Sequence, residues 1–213
     1  MIFGGIGAQA YQELSKPEAW AYWKDLYVAP SMAATQVSID PDNAGHPRLG
    51  LAISGTIGPA AASWFREKLD EAHLSTGDIV LLSSPGGNVG QAIIMGEIIR
   101  ARGLATAVGT VDSNGKVQSS YCASACVMTY AGGKTRIGVD GSRLGVHRFT
   151  SANPGSDPTA SAQRTMGLVL SYMTKMGVAS TVVEAMSATD KIRWLGASEA
   201  VAMKLVTEPA RKS

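Results

Sequence analysis

The chain has little cysteine, histidine or phenylalanine: two, three and three of its 213 residues. Two cysteines are too few for the disulfide framework that holds small secreted scaffolds. Cys122 and Cys126 stand four apart, and His46 and His73 lie far from them without ligand spacing, so no zinc site is expected. The pair reads as small buried packing residues, with a local disulfide as the alternative. Charge of one sign is also missing: 19 basic residues face 17 acidic ones, for a net charge of +2. That removes the electrostatic reason to expect nucleic acid or an anionic membrane as partner. No uncharged apolar run approaches the roughly 18 to 20 residues that span a bilayer. Met1–Ala10 carries no Lys or Arg for a signal-peptide start. As it stands the sequence reads as cytoplasmic, or as periplasmic if an export leader has been removed.

Hydrophobic side chains make up 45% of the chain, enough for one substantial core. Residues 1–30 read as a helical arm, in which Trp20, Trp23 and Tyr27 fall on one helical face that must dock on its own domain or a neighbouring subunit. Residues 31–213 read as the folded domain. It opens with a loop over Ser31–Pro47 and a strand over Arg48–Gly55. A helix from Pro59 to Ala72, a buried strand over Asp78–Ser83 and a helix over Asn88–Arg102 follow. Ala105–Val111 reads as a strand, Ser124–Ala131 as a short helix, and Arg136–Val139 and Leu144–His147 as strands. A loop over Ser151–Pro158 precedes a helical region, Ala160–Met186, interrupted near Gly177, and a last helix over Ser198–Leu205. Strands alternating with helices predict an α/β layered fold of parallel βαβ units.

Three segments carry candidate chemistry. In Ser83-Ser84-Pro85-Gly86-Gly87 a buried strand stops at a turn whose glycines can adopt φ > 0 and aim an N–H at a bound group, just before a helix N-terminus. Such a turn can hold a developing oxyanion, although Pro-Gly-Gly is also an ordinary turn. In Tyr121-Cys122-Ala123-Ser124-Ala125-Cys126-Val127 a serine sits between alanines where a helix begins. Small neighbours leave its hydroxyl reachable and offer the Ala125 N–H as a second donor; the same serine could instead be a helix N-cap. In Ser142-Arg143-Leu144-Gly145-Val146-His147 a histidine ends an apolar strand. It is the histidine placed to act as base, since His46 lies in a polar loop and His73 beside Glu71 at a helix end.

Taken in order, S-P-G-G, the small-residue serine segment, A-G-G-K-T-R and S-R-L-G-V-H resemble the Clp protease (ClpP) pattern within the ClpP/crotonase superfamily. The resemblance covers roughly Ser54 to Thr207, and His147 follows Ser124 by 23 residues (147 − 124), a spacing similar to that family's. It implies a ClpP/crotonase-like fold of repeated β-β-α units, with 31–213 as the catalytic domain. It also implies a serine hydrolase, most naturally a peptidase acting on a peptide or ester. Ser124 falls at the nucleophile, His147 at the base, and Gly86 or Gly87 with Ala125 at the oxyanion donors. No cofactor is implied. A homo-oligomer is, with the Trp20/Trp23/Tyr27 face as a candidate interface.

The closing segment W-L-G-A-S-E-A is similar to the family's, but it puts Ile192 where the family has its triad aspartate. Asp190, two residues earlier, is the candidate acid; a Ser-His dyad or Glu184 is the alternative. The C-A-S-A-C segment and the N-terminal arm look closer to less characterised bacterial ClpP-like proteins, so an unfoldase partner is not carried over. Two rival readings are a catalytically inactive scaffold subunit and a crotonase-type acyl-CoA enzyme. The crotonase type places glutamates around its second oxyanion segment, whereas 121–131 contains no carboxylate.

Overall fold

Short apolar runs, each closed by a glycine or polar turn, lie side by side in parallel here, as strands buried on both faces do. The computed structural model describes residues 15–39, 48–112, 116–149 and 157–209. Helix α1 (Pro17–Trp23) continues into a π-helical turn, Lys24–Val28. Then come β1 (Met32–Ile39), β2 (Arg48–Gly55), α2 (Ala61–Ala72), β3 (Ile79–Ser83), α3 (Val89–Ala101) and β4 (Ala105–Val108). A small ribbon, β5 (Thr110–Val111) and β6 (Val117–Gln118), leads to β7 (Tyr121–Ala123), α4 (Cys126–Ala131), β8 (Arg136–Ile137) and β9 (Arg143–Val146). The remaining elements are α5 (Pro158–Lys175), α6 (Thr181–Ser187), β10 (Arg193–Trp194) and α7 (Ala197–Ala202).

The main sheet runs β1-β2-β3-β4-β8, parallel except for the edge strand β1. Alternation along β3 divides the core. Val80 and Leu82 face Phe65 and Leu69 of α2 and Met95 and Ile99 of α3, while Ile79 and Leu81 join Val37, Ile39, Ala107 and Ile137 on the other side. The second sheet, β10-β9-β7, is tied to the first at Ser84, whose N–H donates to Tyr121 O and whose carbonyl accepts from Ala123 N–H, both at 3.0 Å. This seam brings the Pro-Gly-Gly turn beside the serine segment.

Two expectations need correction. Met32–Ile39 is a strand, not part of a loop, paired in unbroken register with Arg48–Gly55. Its sequence, M-A-A-T-Q-V-S-I, lacks an apolar run because only Met32, Val37 and Ile39 are fully buried on this edge strand, with Ala34 partly buried against the core. Residues 40–47 of the expected loop lie outside the described residues, as do 150–156. Pro158 belongs to α5 instead of the preceding loop: it sits in the first turn, and Asp157 caps the helix by accepting from Ala160 N–H at 2.9 Å.

The arm's predicted face points outward. Trp20 and Tyr27 are about two-thirds exposed, and Trp23 stacks on Tyr27. The contact with the rest of the chain is made from other positions. Tyr22 shares a 2.9 Å hydrogen bond with Ser63, and the buried Asp25 carboxylate accepts from Ser31 N–H at 2.9 Å and Ala60 N–H at 3.0 Å.

Candidate active site

Ser124 stands in a strand-to-turn-to-helix corner between β7 and α4, with φ at 56°. The other non-glycine residues with positive φ among those described, His73 and Lys204, close helix C-termini, where that conformation is ordinary. At Ser124 it is not, and holding a side-chain-bearing residue there costs on the order of 1–3 kcal/mol, a strain that clusters at functional sites. The corner is fixed from both sides: Ser124 N–H donates to Gly145 O at 2.9 Å, and its carbonyl accepts from Val127 N–H at 3.1 Å. The helix N-cap is Ala125, without any side-chain cap, so the Ser124 hydroxyl is not spent on capping.

Cys122 and Cys126 are buried, as expected, but they are also joined in a disulfide, so the packing-only reading is corrected. Sequence alone could have favoured the bond through one signal, the symmetric placing of the cysteines around a turn at Ser124. The corner, instead of a continuous helix, brings their Cα atoms to 5.3 Å.

Gly86 lies directly against this corner. With φ at 99°, a Cβ on Gly86 would come within 2.7 Å of Ala123 O, 2.8 Å of Ser124 Cβ and 2.9 Å of Ala125 N. Only glycine permits both that backbone conformation and that approach. The Gly86 N–H itself donates to Ser84 Oγ at 3.1 Å. Ile57 holds the turn from the far side, its N–H donating to Gly86 O and its carbonyl accepting from Asn88 N–H, each at 2.8 Å. By the alternation of an extended strand, the intervening Gly87 N–H points away from Ile57. Among the described residues neither Gly87 N–H nor Ala125 N–H has a hydrogen-bond acceptor.

His147 follows β9, two residues beyond the carbonyl that holds Ser124 N–H, and is half-buried. Its imidazole makes no hydrogen bond with Ser124, and none with Asp190, among the described residues. Asp190 is exposed. The antiparallel register of β10 on β9 pairs Arg193 with Val146 and Trp194 with Gly145, which carries Ile192 opposite His147. Arg148 N–H donates to Thr189 O at 2.8 Å, so the chain from 189 to 192 runs beside the base, and the residue that the register sets opposite it, Ile192, is apolar. Glu184, the other acid considered, lies on α6 and accepts from the Ser180 hydroxyl. A cavity bordered by Val108, Tyr130, Leu144, Leu195 and Val206 does not reach Ser124 or His147. Thus Gly86 lies against the Ser124–Ala125 corner with Gly87 next in the turn, and His147 follows the strand whose Gly145 carbonyl holds that corner; among the described residues no hydrogen bond joins His147 to Ser124 or to Asp190.

The two sheets, the flanking helices and the seam define a mixed α/β fold of the ClpP/crotonase type. Comparison with solved structures makes this more particular. The chain is similar to a mutant ClpP1 from Listeria monocytogenes, with a TM-score of 0.57 and 16% identity over 76% of this chain and 91% of that one. It is likewise similar to the ClpP protease catalytic domain from Plasmodium falciparum, with a TM-score of 0.54 and 16% identity over 74% of this chain and 82% of that one. The fold is therefore ClpP-like. No family model and no curated protein matches the chain. No helix among the described residues is long and apolar enough to cross a membrane.

Proposed function

We propose that this protein is a ClpP-like serine hydrolase, a peptidase in its natural role, with Ser124 as nucleophile and His147 as base. The observation that carries the reading is the closeness of Gly86 to the Ser124–Ala125 corner: a strained serine faces a turn that only glycine can make. In this reading His147 takes the Ser124 proton as the hydroxyl attacks the substrate carbonyl. The Gly87 and Ala125 N–H groups, which have no acceptor of their own, hold the tetrahedral oxyanion. His147 then protonates the leaving group, and water repeats the cycle on the acyl-enzyme. Nucleophile and base are commonly apart in unliganded sites and tighten around substrate, so the missing Ser124–His147 bond is compatible with this chemistry. Gly86, assigned with Gly87 as a donor on sequence grounds, is better suited to shape the turn, since its N–H is engaged by Ser84.

Ile192 opposite His147 favours a second reading, an inactive scaffold of the same fold, because the imidazole lacks an orienting carboxylate there. One experiment separates the two: intact-mass spectrometry after a fluorophosphonate, on the wild type, Ser124→Ala and His147→Ala. A single adduct, absent in Ser124→Ala and much slower in His147→Ala, supports the hydrolase. No adduct on the folded wild type supports the scaffold. The homo-oligomer is likewise our proposal, supported by the exposed Trp20, Trp23 and Tyr27. Sedimentation as a monomer at micromolar concentration would remove it.

A further inference from the structure

We infer that the Cys122–Cys126 disulfide is the positioning element of Ser124, so that the nucleophile reaches its full reactivity only once the two thiols have been oxidised. The inference rests on the reading of Ser124 as nucleophile. The bond spans the corner itself: Cys122 lies in β7, where it pairs with Leu144, Cys126 is the first residue of α4, and Ser124 is midway between them. Cys122 is held in the sheet and Cys126 in the helix, so the crosslink fixes the distance across which Ser124 must keep its φ of 56°. Three other contacts aim at the same corner, namely Gly145 O, Val127 N–H and the close face of Gly86, but none is covalent.

Both cysteines are fully buried, which argues against a surface redox sensor. Thiol–disulfide exchange needs a thiolate to approach one sulfur in line, and among the described residues neither cysteine exposes any surface to solvent. The crosslink is therefore made as the chain folds. A partner disulfide of the glutathione or dithiol-oxidoreductase class is reduced to two thiols as the Cys122 and Cys126 thiols give up two electrons and two protons to form the bond. A disulfide of this kind persists in an oxidising compartment.

The test compares wild-type protein in two redox states in which every side chain except the crosslink is the same. One portion is unfolded with denaturant and a dithiol reductant, then refolded under reductant; part of it is afterwards unfolded again and refolded in a mixture of reduced and oxidised glutathione, because the buried thiols can be joined only as the chain folds. Fluorophosphonate labelling is followed by intact mass, with the circular dichroism of each form recorded. We expect the reduced, folded form to label about 10- to 100-fold more slowly, the loss falling on the rate at saturating probe and not on probe affinity, and reoxidation to restore it. Cys122→Ala/Cys126→Ala provides the same comparison if the reduced chain does not refold, and is expected to show the same slowing. Equal labelling rates in the oxidised form and in the folded reduced form or the alanine pair would overturn this inference alone. Absence of labelling in the oxidised wild type would overturn the nucleophile reading and this inference with it.

Discussion

Ile192 packs its Cγ2 against Gly145, so closely that a Cβ on the glycine would lie 2.8 Å from it. The same β9–β10 register sets Ile192 opposite His147. The position opposite the candidate base is thus apolar where an orienting carboxylate would serve it, and Asp190, the acid nearest Ile192 in sequence, is exposed and, among the described residues, not hydrogen-bonded to the imidazole. Asp190→Asn is therefore expected to change the fluorophosphonate labelling rate by less than about threefold, since a carboxylate screened by water acts weakly at a distance. Ile192→Asp is expected to raise that rate by about tenfold or more by holding the imidazole in the productive tautomer. Both are read in one labelling series. A large loss in Asp190→Asn would mean that the 189–192 segment rearranges to bring that acid to His147.

Gly86→Ala tests the turn. The new methyl would press on Ala123 O, Ser124 Cβ and Ala125 N at under 3 Å, and φ at 99° disfavours any side chain. The backbone must shift, taking the Gly87 N–H with it. We expect labelling to fall by about 100-fold, the scale of losing one oxyanion donor, with a stability loss of about 1–3 kcal/mol in urea. Loss of stability with an unchanged labelling rate would show that the turn is only a fold element.

Much of this was legible in the sequence because it depends on local chemistry. Asp78–Ser83 reads as a buried strand from its apolar run, which the strand Ile79–Ser83 matches, and Asn88 marks the start of α3, where its side chain accepts from Gln91 N–H. The Pro-Gly-Gly turn and the small-residue corner at Ser124 follow from residue type, whereas the roles of Ser124 and His147 rest on the resemblance. What was hidden depends on contacts between distant segments. Met32–Ile39 carries no apolar run, and its pairing partner fixes it as a strand. The outward aim of Trp20 and Tyr27 follows from Asp25 and Tyr22 making the docking contacts, which helical spacing cannot rank. The disulfide required the corner at Ser124, a backbone feature that no spacing of two cysteines determines.

Gly96→Ala tests how α3 and α4 meet. A Cβ at this position would collide with the Tyr172 hydroxyl, which donates to Met128 O at 2.8 Å, and would come within 2.9 Å of that same carbonyl. The opposing glycine, Gly132, is as crowded against the Gly96 backbone. Alanine favours a helix by up to about 1 kcal/mol over glycine, but overpacking and a displaced buried hydroxyl cost more. The expected net loss is about 2 kcal/mol in urea denaturation. A stabilised variant would mean that the two helices part without penalty.

Arg136 offers the clearest test of what anchors the C-terminal segment. Only 3% exposed, it donates to Leu205 O at 2.9 Å, Lys204 O at 2.7 Å, Gly133 O at 3.1 Å and Met176 O at 3.3 Å, gathering the ends of separate elements around one guanidinium. Burial, and then the neighbouring Arg100 charge, lower its pKa from the usual arginine value. Its backbone continues the tie, with Thr207 N–H and Glu208 N–H both donating to Arg136 O. Arg136→Met keeps most of the volume and removes every side-chain donor, leaving the Leu205, Lys204 and Gly133 carbonyls without this partner while Met176 O keeps its bond from Arg100. We expect a loss of about 3–5 kcal/mol, the scale of breaking a buried charged network from one side. The urea midpoint should fall with an unchanged slope, since the surface exposed on unfolding stays the same. Arg136→Lys should recover little of it, because an ammonium cannot span four carbonyls that a planar fork reaches. A methionine variant as stable as the wild type would show that the tail is held by its backbone bonds and by Leu205 and Val206 in the core.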